Sequence, residues 1–226
     1  MKKGTYDIVA EYEDYYGASF WSNYAGYSGA GATDPFNKGL WLEKGRRIIG
    51  EAGAIISFPY TGNNDNVKEK FSIFANDTDV LLENLTITAN PQCCRYAIHD
   101  DFQPNGGVIE FRKLLFDMTP NKHAVIGAGL GIDTTYIIDN CVFENNSKSF
   151  DIHYHGNTVA NQDTHCKFFI TNCYGSKYCY FGYYGDSTEV SDAIVNNCAF
   201  QNVECSAYSG ATFANIRLIQ WNNTRV

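Results

Sequence analysis

Asp151, His153 and His155 occupy every second position of the segment SFDIHYHG (149–156). In an extended strand, this spacing directs all three side chains to one face of the sheet. Two imidazoles and one carboxylate on a single face could bind a metal ion, transfer protons or hold a polar ligand. The same residue types also line the solvated face of ordinary strands, so the choice between these interpretations depends on the surrounding elements.

A metal site is the less favoured interpretation of this segment. Two histidines at positions i and i+2 of a strand can share a zinc ion when a neighbouring strand supplies a third ligand. Three ligands along one straight strand converge poorly, so Asp151 would contribute little to such a site. The eight cysteines show no C-x-x-C spacing, which favours free thiols over a zinc site or a disulfide framework. We expect neither a metal nor another cofactor.

The overall composition restricts the class of protein. The 226 residues are 44% hydrophobic and 19% charged, which is typical of a globular domain. A formal net charge of −8 and a pI near 5.0 argue against nucleic-acid binding, because phosphate contacts require clustered Lys and Arg side chains. No apolar run approaches the roughly 20 residues of a membrane span. The N-terminal segment does not have the pattern of a secretory signal, so we expect neither membrane insertion nor a signal peptide.

An irregular repeat runs through the second half of the chain. Five segments alternate apolar and polar residues as half-buried strands do. When the segments are aligned, residues at equivalent positions form columns. We expect one polar column to turn inward at a bend, where each amide hydrogen-bonds its copy on the next coil ~4.8 Å away. We expect the column at the next position to fill the core. The segments are VLLENLTI (80–87), IEFRKLLF (109–116), YIIDNCVF (136–143), FFITNCYG (168–175) and AIVNNCAF (193–200). The columns are Asn84, Lys113, Asn140, Asn172, Asn197 and Leu85, Leu114, Cys141, Cys173, Cys198.

Each repeat also contains a second strand. Alignment of these strands predicts two inward columns and two columns that face outward. The second strands are RYAIHDD (95–101), KHAVIGAG (122–129), SFDIHYHG (149–156), KYCYFGYYG (177–185) and ECSAYSG (204–210). The inward columns are Tyr96, His123, Phe150, Tyr178, Cys205 and Ile98, Val125, Ile152, Tyr180, Ala207. The outward columns are Arg95, Lys122, Ser149, Lys177, Glu204 and His99, Ile126, His153, Phe181, Tyr208.

Two strands in each repeat, with stacked polar and apolar columns, predict an all-β right-handed parallel β-helix. Helical spacing of apolar residues in 5–17, ended by Gly17, predicts a short helix that covers one end of the solenoid. A Gly/Tyr-rich capping loop follows, and the opening KKGTY resembles the end of a β-helix strand. We divide the chain into an N-terminal helix and loop (1–36) and a β-helix domain (37–226), within a single domain overall.

Several segments resemble a known superfamily. The run KGLWLEKGRRIIGE, the ENLTI and DNCVF repeats and YAIHDD are similar to the pectin-lyase-like parallel β-helices. GTYDIVAEYEDYYG, FSIF and DIHYHGN further resemble phage and prophage tail-associated proteins, especially those of gut Firmicutes. The resemblance implies a tailspike or receptor-binding protein that binds a bacterial surface polysaccharide, sometimes cleaves it and commonly forms a homotrimer. It also implies a location in the virion tail, or outside the host cell after lysis.

The outward columns predict one ligand-binding face. Side chains two coils apart are separated by roughly 10 Å, which suits a groove for one or two sugar units. An exposed ladder of ion pairs is the alternative interpretation of Arg95, His99 and Asp101. The candidate ligand-binding residues are Arg95, His99, Asp101, Lys122, Asp151, His153, His155, Lys177, Phe181, Tyr183 and Tyr208.

Polysaccharide cleavage by a lyase or a glycoside hydrolase is the alternative function. An inverting hydrolase places two carboxyl groups about 6.5–9.5 Å apart, close to the separation expected between Asp101 and Asp151. Tyr154-His155-Gly156 does not match the Gly-His-Gly motif of polygalacturonases, and no acidic cluster supports a calcium-dependent lyase. A structural, trimer-forming segment of a larger tail protein is the second alternative. If the protein is an enzyme, the candidate catalytic residues are Asp101, Asp151, His99 and His153.

Overall fold

The computed structural model of the protein describes most of the chain up to residue 145 and a set of strands beyond it. The described residues are 1–26, 39–100, 105–121, 124–128, 132–145, 150–153, 165–175, 180–185, 190–199, 202–207, 216–218 and 221–222. For 150–153, 165, 180–185, 190–193, 202–207, 216–218 and 221–222 the description is of the backbone. In this part of the chain, no helix has the length and apolar character needed to cross a membrane.

Short helices lie near the N-terminus, and strands make up most of the remainder. The helices are α1 (Ile8–Tyr16), α2 (Phe20–Asn23) and α3 (Asp65–Lys70). The strands in the first half are β1 (Gly4–Asp7), β2 (Leu40–Leu42), β3 (Arg47–Ile49), β4 (Ala54–Phe58), β5 (Phe74–Asn76), β6 (Val80–Ala89), β7 (Ile98–His99) and β8 (Val108–Asp117). Those in the second half are β9 (Ile126–Ala128), β10 (Thr135–Asp139), β11 (Val142–Glu144), β12 (Phe150–His153), β13 (His165–Thr171), β14 (Tyr174–Gly175), β15 (Tyr180–Gly185), β16 (Val190–Asn196), β17 (Cys198–Ala199), β18 (Asn202–Ala207), β19 (Ile216–Leu218) and β20 (Trp221–Asn222).

The described strands pair in parallel and form two sheets. The small sheet has the order β18-β15-β12-β9-β7-β5-β2. In the large sheet, β8 pairs with β10 through its first half and with β11 through its second half, so the sheet bends in the middle. A coil therefore carries three strand segments rather than the two predicted. Parallel strands stacked in this way form a β-solenoid, which confirms the predicted parallel β-helix; its right-handedness stays a prediction.

The polar column lies where the large sheet bends, and we call its five residues the bend corner: Asn84, Lys113, Asn140, Asn172 and Asn197. The strand register confirms their alignment, since Asp139 pairs with Arg112 and with Thr171, one position before the column. All five residues have φ angles of 51–55°, a left-handed conformation that asparagine tolerates better than most residues. All five are exposed, so the prediction that their side chains turn inward is wrong. The turn of the backbone, rather than burial, favours asparagine here.

Side-chain hydrogen bonds connect part of the bend corner. Asn197 Nδ2 donates to Asn172 Oδ1 at 2.7 Å, which is the predicted bond between copies of the amide. Asn172 Nδ2 donates instead to Asp139 Oδ1 at 2.8 Å, and Asn84 Nδ2 donates to the carbonyl oxygen of Gly50 at 2.7 Å. The bonds of Asn172 and Asn197 are solvent-exposed, that of Asn84 is part-buried, and the partners vary from coil to coil, so the backbone conformation rather than these bonds is common to the bend.

The column directly after the bend corner belongs to the core, as predicted. Its members are at most 3% exposed: Leu85, Leu114, Cys141, Cys173 and Cys198. The six cysteines with described side chains are free thiols, which confirms the prediction for that part of the chain. The Cys173 thiol lies 3.6 Å from the carbonyl oxygen of Ile138 on the preceding coil. Burial, together with a hydrogen bond that the Cys173 thiol donates to Cys141, raises the pKa of Cys173, so this thiol stays protonated.

The small sheet has a register different from the predicted one. Ile98 pairs with Ile126, and Ile126 pairs with Phe150. The sequence alignment placed Val125 and Ile152 at those positions, so the predicted inward and outward columns of this sheet are wrong. The reason is that every residue of β7 and β9 is buried. An alternating pattern, which would specify the register, is therefore missing from both strands.

The N-terminal segment forms a helix that packs on the end of the solenoid, as predicted. Strand β1 pairs in parallel with β4, in agreement with the strand expected from KKGTY. Helix α1 begins where the Asp7 side chain accepts a hydrogen bond from the backbone N–H of Ala10 at 3.0 Å, and Gly17 ends it at φ 94°. The ring of Tyr12 contacts Phe71 edge-on, with centroids 5.6 Å apart. The proposed division at residues 36 and 37 lies outside the described residues.

Candidate functional site

His99 is buried and does not lie on a solvent-exposed face as predicted. The residue is only 4% exposed, and its ring stacks on Tyr96 with centroids 4.4 Å apart. Both rings lie over Gly127, where a Cβ atom would come within 2.5 Å of His99 Cδ2. The Arg95 guanidinium lies over the Tyr96 ring, 5.1 Å from its centroid. The solvent-facing position predicted for His99 is therefore wrong, because a glycine on the next strand leaves room for its ring.

Strand pairing brings His99 into one row with two acidic residues. His99 pairs with Gly127, Gly127 with Asp151, Asp151 with Gly182, and Gly182 with Glu204. With strands ~4.8 Å apart, the Cα atoms of Asp151 and Glu204 are about 10 Å apart. A glycine occupies the position between them. The sequence alignment placed Glu204 in a different column from His99 and Asp151, and Glu204 was not among the candidate site residues.

The remaining predicted residues divide by placement. The backbone places His153, Phe181 and Tyr183 in the small sheet, and Phe181 pairs with Phe150 rather than with His153. The predicted column that joined His99, His153 and Phe181 is therefore not formed. Their roles in ligand binding stay predictions. The following candidates lie outside the described residues: Asp101, Lys122, His155, Lys177 and Tyr208.

A buried carboxyl group follows His99 in the chain. Asp100 is 1% exposed, and the hydroxyl of Tyr136 donates a hydrogen bond to its Oδ2 at 2.5 Å. Tyr136 is equally buried and stacks on Phe168 with centroids 4.7 Å apart. Asp100 and Tyr136 thus form a hydrogen-bonded polar pair within the core, where a buried polar group requires such a partner.

A groove follows a different corner of the solenoid. Three cavities of about 830, 440 and 420 Å³ adjoin one another there, sizes typical of ligand sites. The first two share Tyr60, Thr61, Gly62 and Asn63, and the second and third share the segment 90–91. We call these joined cavities the corner groove. The N-terminal segment 9–25 and the start of α3 form part of its walls, together with the turns 59–64, 90–93 and 117–119 and with Asn121 and Asn145.

The large sheet positions this groove. The turns follow β4, β6, β8 and β11, which are neighbours in the sheet and pair in parallel. Parallel neighbours end at the same edge, so their turns stack at ~4.8 Å intervals. The corner groove crosses four strand ends, a distance of about 14 Å. It therefore runs along the axis of the solenoid and across the direction of the strands.

Some amides of the corner groove hold its turns in place. Asn64 Nδ2 donates to the carbonyl oxygens of Trp21 and Tyr24, each at 2.9 Å. Asn90 Nδ2 donates to the carbonyl oxygen of Pro59 at 2.8 Å. The carbonyls in these irregular turns have no partner in a sheet, so the amides provide the hydrogen bonds that the backbone needs.

Other polar side chains border the cavities and remain available. Thr61, Asn63 and Gln92 are exposed. Within the described part of the chain, their side chains make no hydrogen bond. An amide donates and accepts hydrogen bonds, and a hydroxyl does the same. These side chains can therefore bind a ligand that is rich in hydroxyl or amide groups without requiring charge on it.

None of the groove residues was among the sequence-derived candidates. One signal could have found them, because Asn-Pro-Gln (90–92) and Thr-Pro-Asn (119–121) recur after neighbouring strands. Proline and amides at corresponding positions after β6 and β8 indicate equivalent turns. The cavity itself has no signal in the sequence, since it is enclosed by turns from distant parts of the chain.

No protein-family model, curated protein or solved structure matches this chain. The structure itself shows a parallel β-solenoid, and the resemblance to pectin-lyase-like proteins stays a prediction. Within the described residues, no group of three or more His, Cys, Asp or Glu side chains could hold a metal ion.

Proposed function

We propose that the protein binds a bacterial surface polysaccharide in the corner groove. The observation that carries this proposal is a groove of joined cavities, about 14 Å long, whose exposed polar side chains include amides and hydroxyls that make no hydrogen bond within the described residues. Sugar hydroxyls need partners that both donate and accept, which is what Thr61, Asn63 and Gln92 offer. A solenoid supports such a site well, because stacked turns repeat similar groups along an extended chain.

The resemblance of the sequence to phage tail-associated proteins indicates where this binding would take place. Proteins of that kind contact the surface of a bacterium, and polysaccharides are its outermost polymers. We propose that the chain serves as a receptor-binding or tailspike-like module, located in the virion tail or outside the cell after lysis. Its partner would then be a capsule or cell-wall glycan rather than nucleic acid or lipid.

A glycan array followed by calorimetry tests the binding function. The purified chain should retain at least one bacterial polysaccharide, and the double variant Asn63→Ala/Gln92→Ala should bind it at least about tenfold more weakly, a loss typical of two or more hydrogen bonds. The variant Asn105→Ala is the matched control, because Asn105 is an exposed amide that does not border the groove. Equal affinity of the double variant and the control would overturn the site. A chain that binds no glycan but sediments as a trimer would favour the structural role.

Cleavage of the same polysaccharide is a second candidate function. The pairing of Asp151, Gly182 and Glu204 favours it, because about 10 Å between the Cα atoms of two acids suits the carboxyl separation of an inverting hydrolase. The general acid and the general base would then come from two coils that have one coil between them. The test is the release of new reducing ends from a bound polysaccharide. Asp151→Asn and Glu204→Gln should each abolish the release while leaving binding in the corner groove intact.

A further inference from the structure

A row of acidic and hydroxyl residues runs beside the corner groove. Asp7 pairs with Ser57, Ser57 with Thr88, Thr88 with Asp117, and Asp117 with Glu144. These positions are at or next to the ends of the strands from which the groove turns begin. Parallel pairing stacks them at ~4.8 Å intervals, so three acids and two hydroxyl residues follow the same edge as the groove.

Further carboxylates line the cavities. Glu13 borders the cavity of about 830 Å³, and Asp65 and Glu69 border the cavity of about 440 Å³. Among the described residues that line the three cavities, Lys68 is the one cation, and its Nζ lies 3.9 Å from Asp65 Oδ1. The Asp65 side chain is 91% exposed, so this ion pair is screened by solvent. Among the described residues, Glu13, Asp65 and Asp117 against Lys68 therefore give the lining of the groove an excess of negative charge.

This charge opposes one class of ligand. A polysaccharide with uronate, phosphate or sulfate groups would bring negative charge close to these carboxylates. Apart from Lys68, which lies beside Asp65, the available donors named above are neutral amides and hydroxyls, which compensate poorly for such repulsion. An uncharged chain meets no electrostatic penalty and uses the same hydrogen-bonding groups. Binding sites commonly gain specificity from a repulsive element of this kind.

We propose that the corner groove selects uncharged polysaccharides and rejects polyanionic ones. The inference rests on the proposed glycan-binding function and adds the chemical class of the ligand. The hydrogen-bonding side chains provide the affinity, and the acids that line the groove, Asp117 among them, provide the discrimination. The net charge of −8 of the whole chain acts in the same direction at longer range.

The test compares purified bacterial polysaccharides grouped as uncharged, uronate-containing and phosphate-containing. At a salt concentration of about 50 mM, the best uncharged chain should bind at least about tenfold more tightly than any acidic chain. The variant Asp117→Asn, which removes one acid of the row and of the groove lining, should strengthen binding of acidic chains at least about threefold and change the uncharged chain by less than about twofold. Asp14→Asn is the matched control, because Asp14 is an exposed acid on α1 that does not border the cavities.

The outcomes separate this inference from the function on which it rests. Tight binding of an acidic chain that is weakened by Asn63→Ala/Gln92→Ala would overturn the charge selection and keep the glycan site. The absence of binding to any polysaccharide would overturn both. Equal effects of the Asp117→Asn variant and the Asp14→Asn control would also overturn the selection, because the discrimination would then come from the total charge.

Discussion

The bend corner and the corner groove are both turns between strands of neighbouring faces, and both are rich in asparagine. At the bend corner, one residue per coil turns the chain, and Asn140 and Asn172 share a φ of 54°. The strand after the turn pairs again within two residues. At the corner groove, the turns are longer, and Asn64 bonds the carbonyls of Trp21 and Tyr24 while Asn63 remains available.

Turn length explains the difference. A one-residue bend leaves neither unpaired backbone nor space between coils, so asparagine is favoured there for its backbone conformation. A long turn exposes carbonyl groups that no sheet partner reaches, and some amides satisfy them. Space remains between the stacked turns, and the other amides face it. At the bend corner, asparagine is therefore favoured for its backbone conformation. At the corner groove, asparagine side chains either bond backbone carbonyls or face the space in which a ligand could bind.

The largest expected effect on stability is at the corner groove. Asn64→Ala removes bonds to the carbonyls of Trp21 and Tyr24 and the cap of α3, where the Asn64 side chain accepts from the N–H of Asn66. We expect the free energy of unfolding to fall by about 2–3 kcal/mol. Urea denaturation followed by circular dichroism measures it. The neighbouring variant Asn63→Ala should stay within about 0.5 kcal/mol of the parent, and equal losses would show that the two amides do not differ in role.

The next effect is at the bend corner. Asn172→Val places a β-branched residue at a φ of 54° and should cost about 1–2 kcal/mol. Asn172→Gly loses the same amide bonds but tolerates the conformation, so it should recover most of that cost. Thermal and urea unfolding of the two variants gives the comparison. If glycine is as destabilising as valine, the side-chain bonds rather than the backbone conformation hold this corner.

The smallest effect concerns the thiols behind the bend corner. Because the pKa of Cys173 is raised in the folded chain, the thiol keeps its proton there, whereas the unfolded chain releases it above a pKa near 9.0. Stability from this group is complete below that pH and falls above it by about 1.4 kcal/mol per pH unit. Urea unfolding at pH values from about 8 to about 10 should show a shallower decline for Cys173→Ala than for the parent. Identical slopes in the two proteins would contradict the buried, protonated thiol.

The large sheet could be derived from the sequence because its strands alternate. Around Asn140, apolar residues lie at every second position on both sides of the bend, and one face is buried. Shifting such a strand by one residue would expose its apolar side chains, so the register is specified locally. The columns at the bend corner and in the core behind it were found for this reason. The inward direction expected for the asparagines was wrong, because the left-handed backbone places them outside.

The small sheet could not be derived in the same way. In β7 and β9, residues on both faces are buried, so several registers satisfy the hydrophobic pattern equally well. The wrong register placed His99 beside His153 and in solvent, whereas pairing places it in one row with Gly127 and Asp151. Only contacts between strands decide this, and they depend on how the glycine accommodates the Tyr96 and His99 rings.

The sequence by itself determined the parallel β-helix, the bend corner and the N-terminal helix, because each follows from a local period or turn residue. The tertiary structure decided the register of the small sheet, the burial of His99 and the existence of the corner groove. A cavity forms between turns that are about one coil apart in the chain, and its lining depends on which side chains the backbone carbonyls engage. The candidate function rests on that arrangement, which local patterns do not specify.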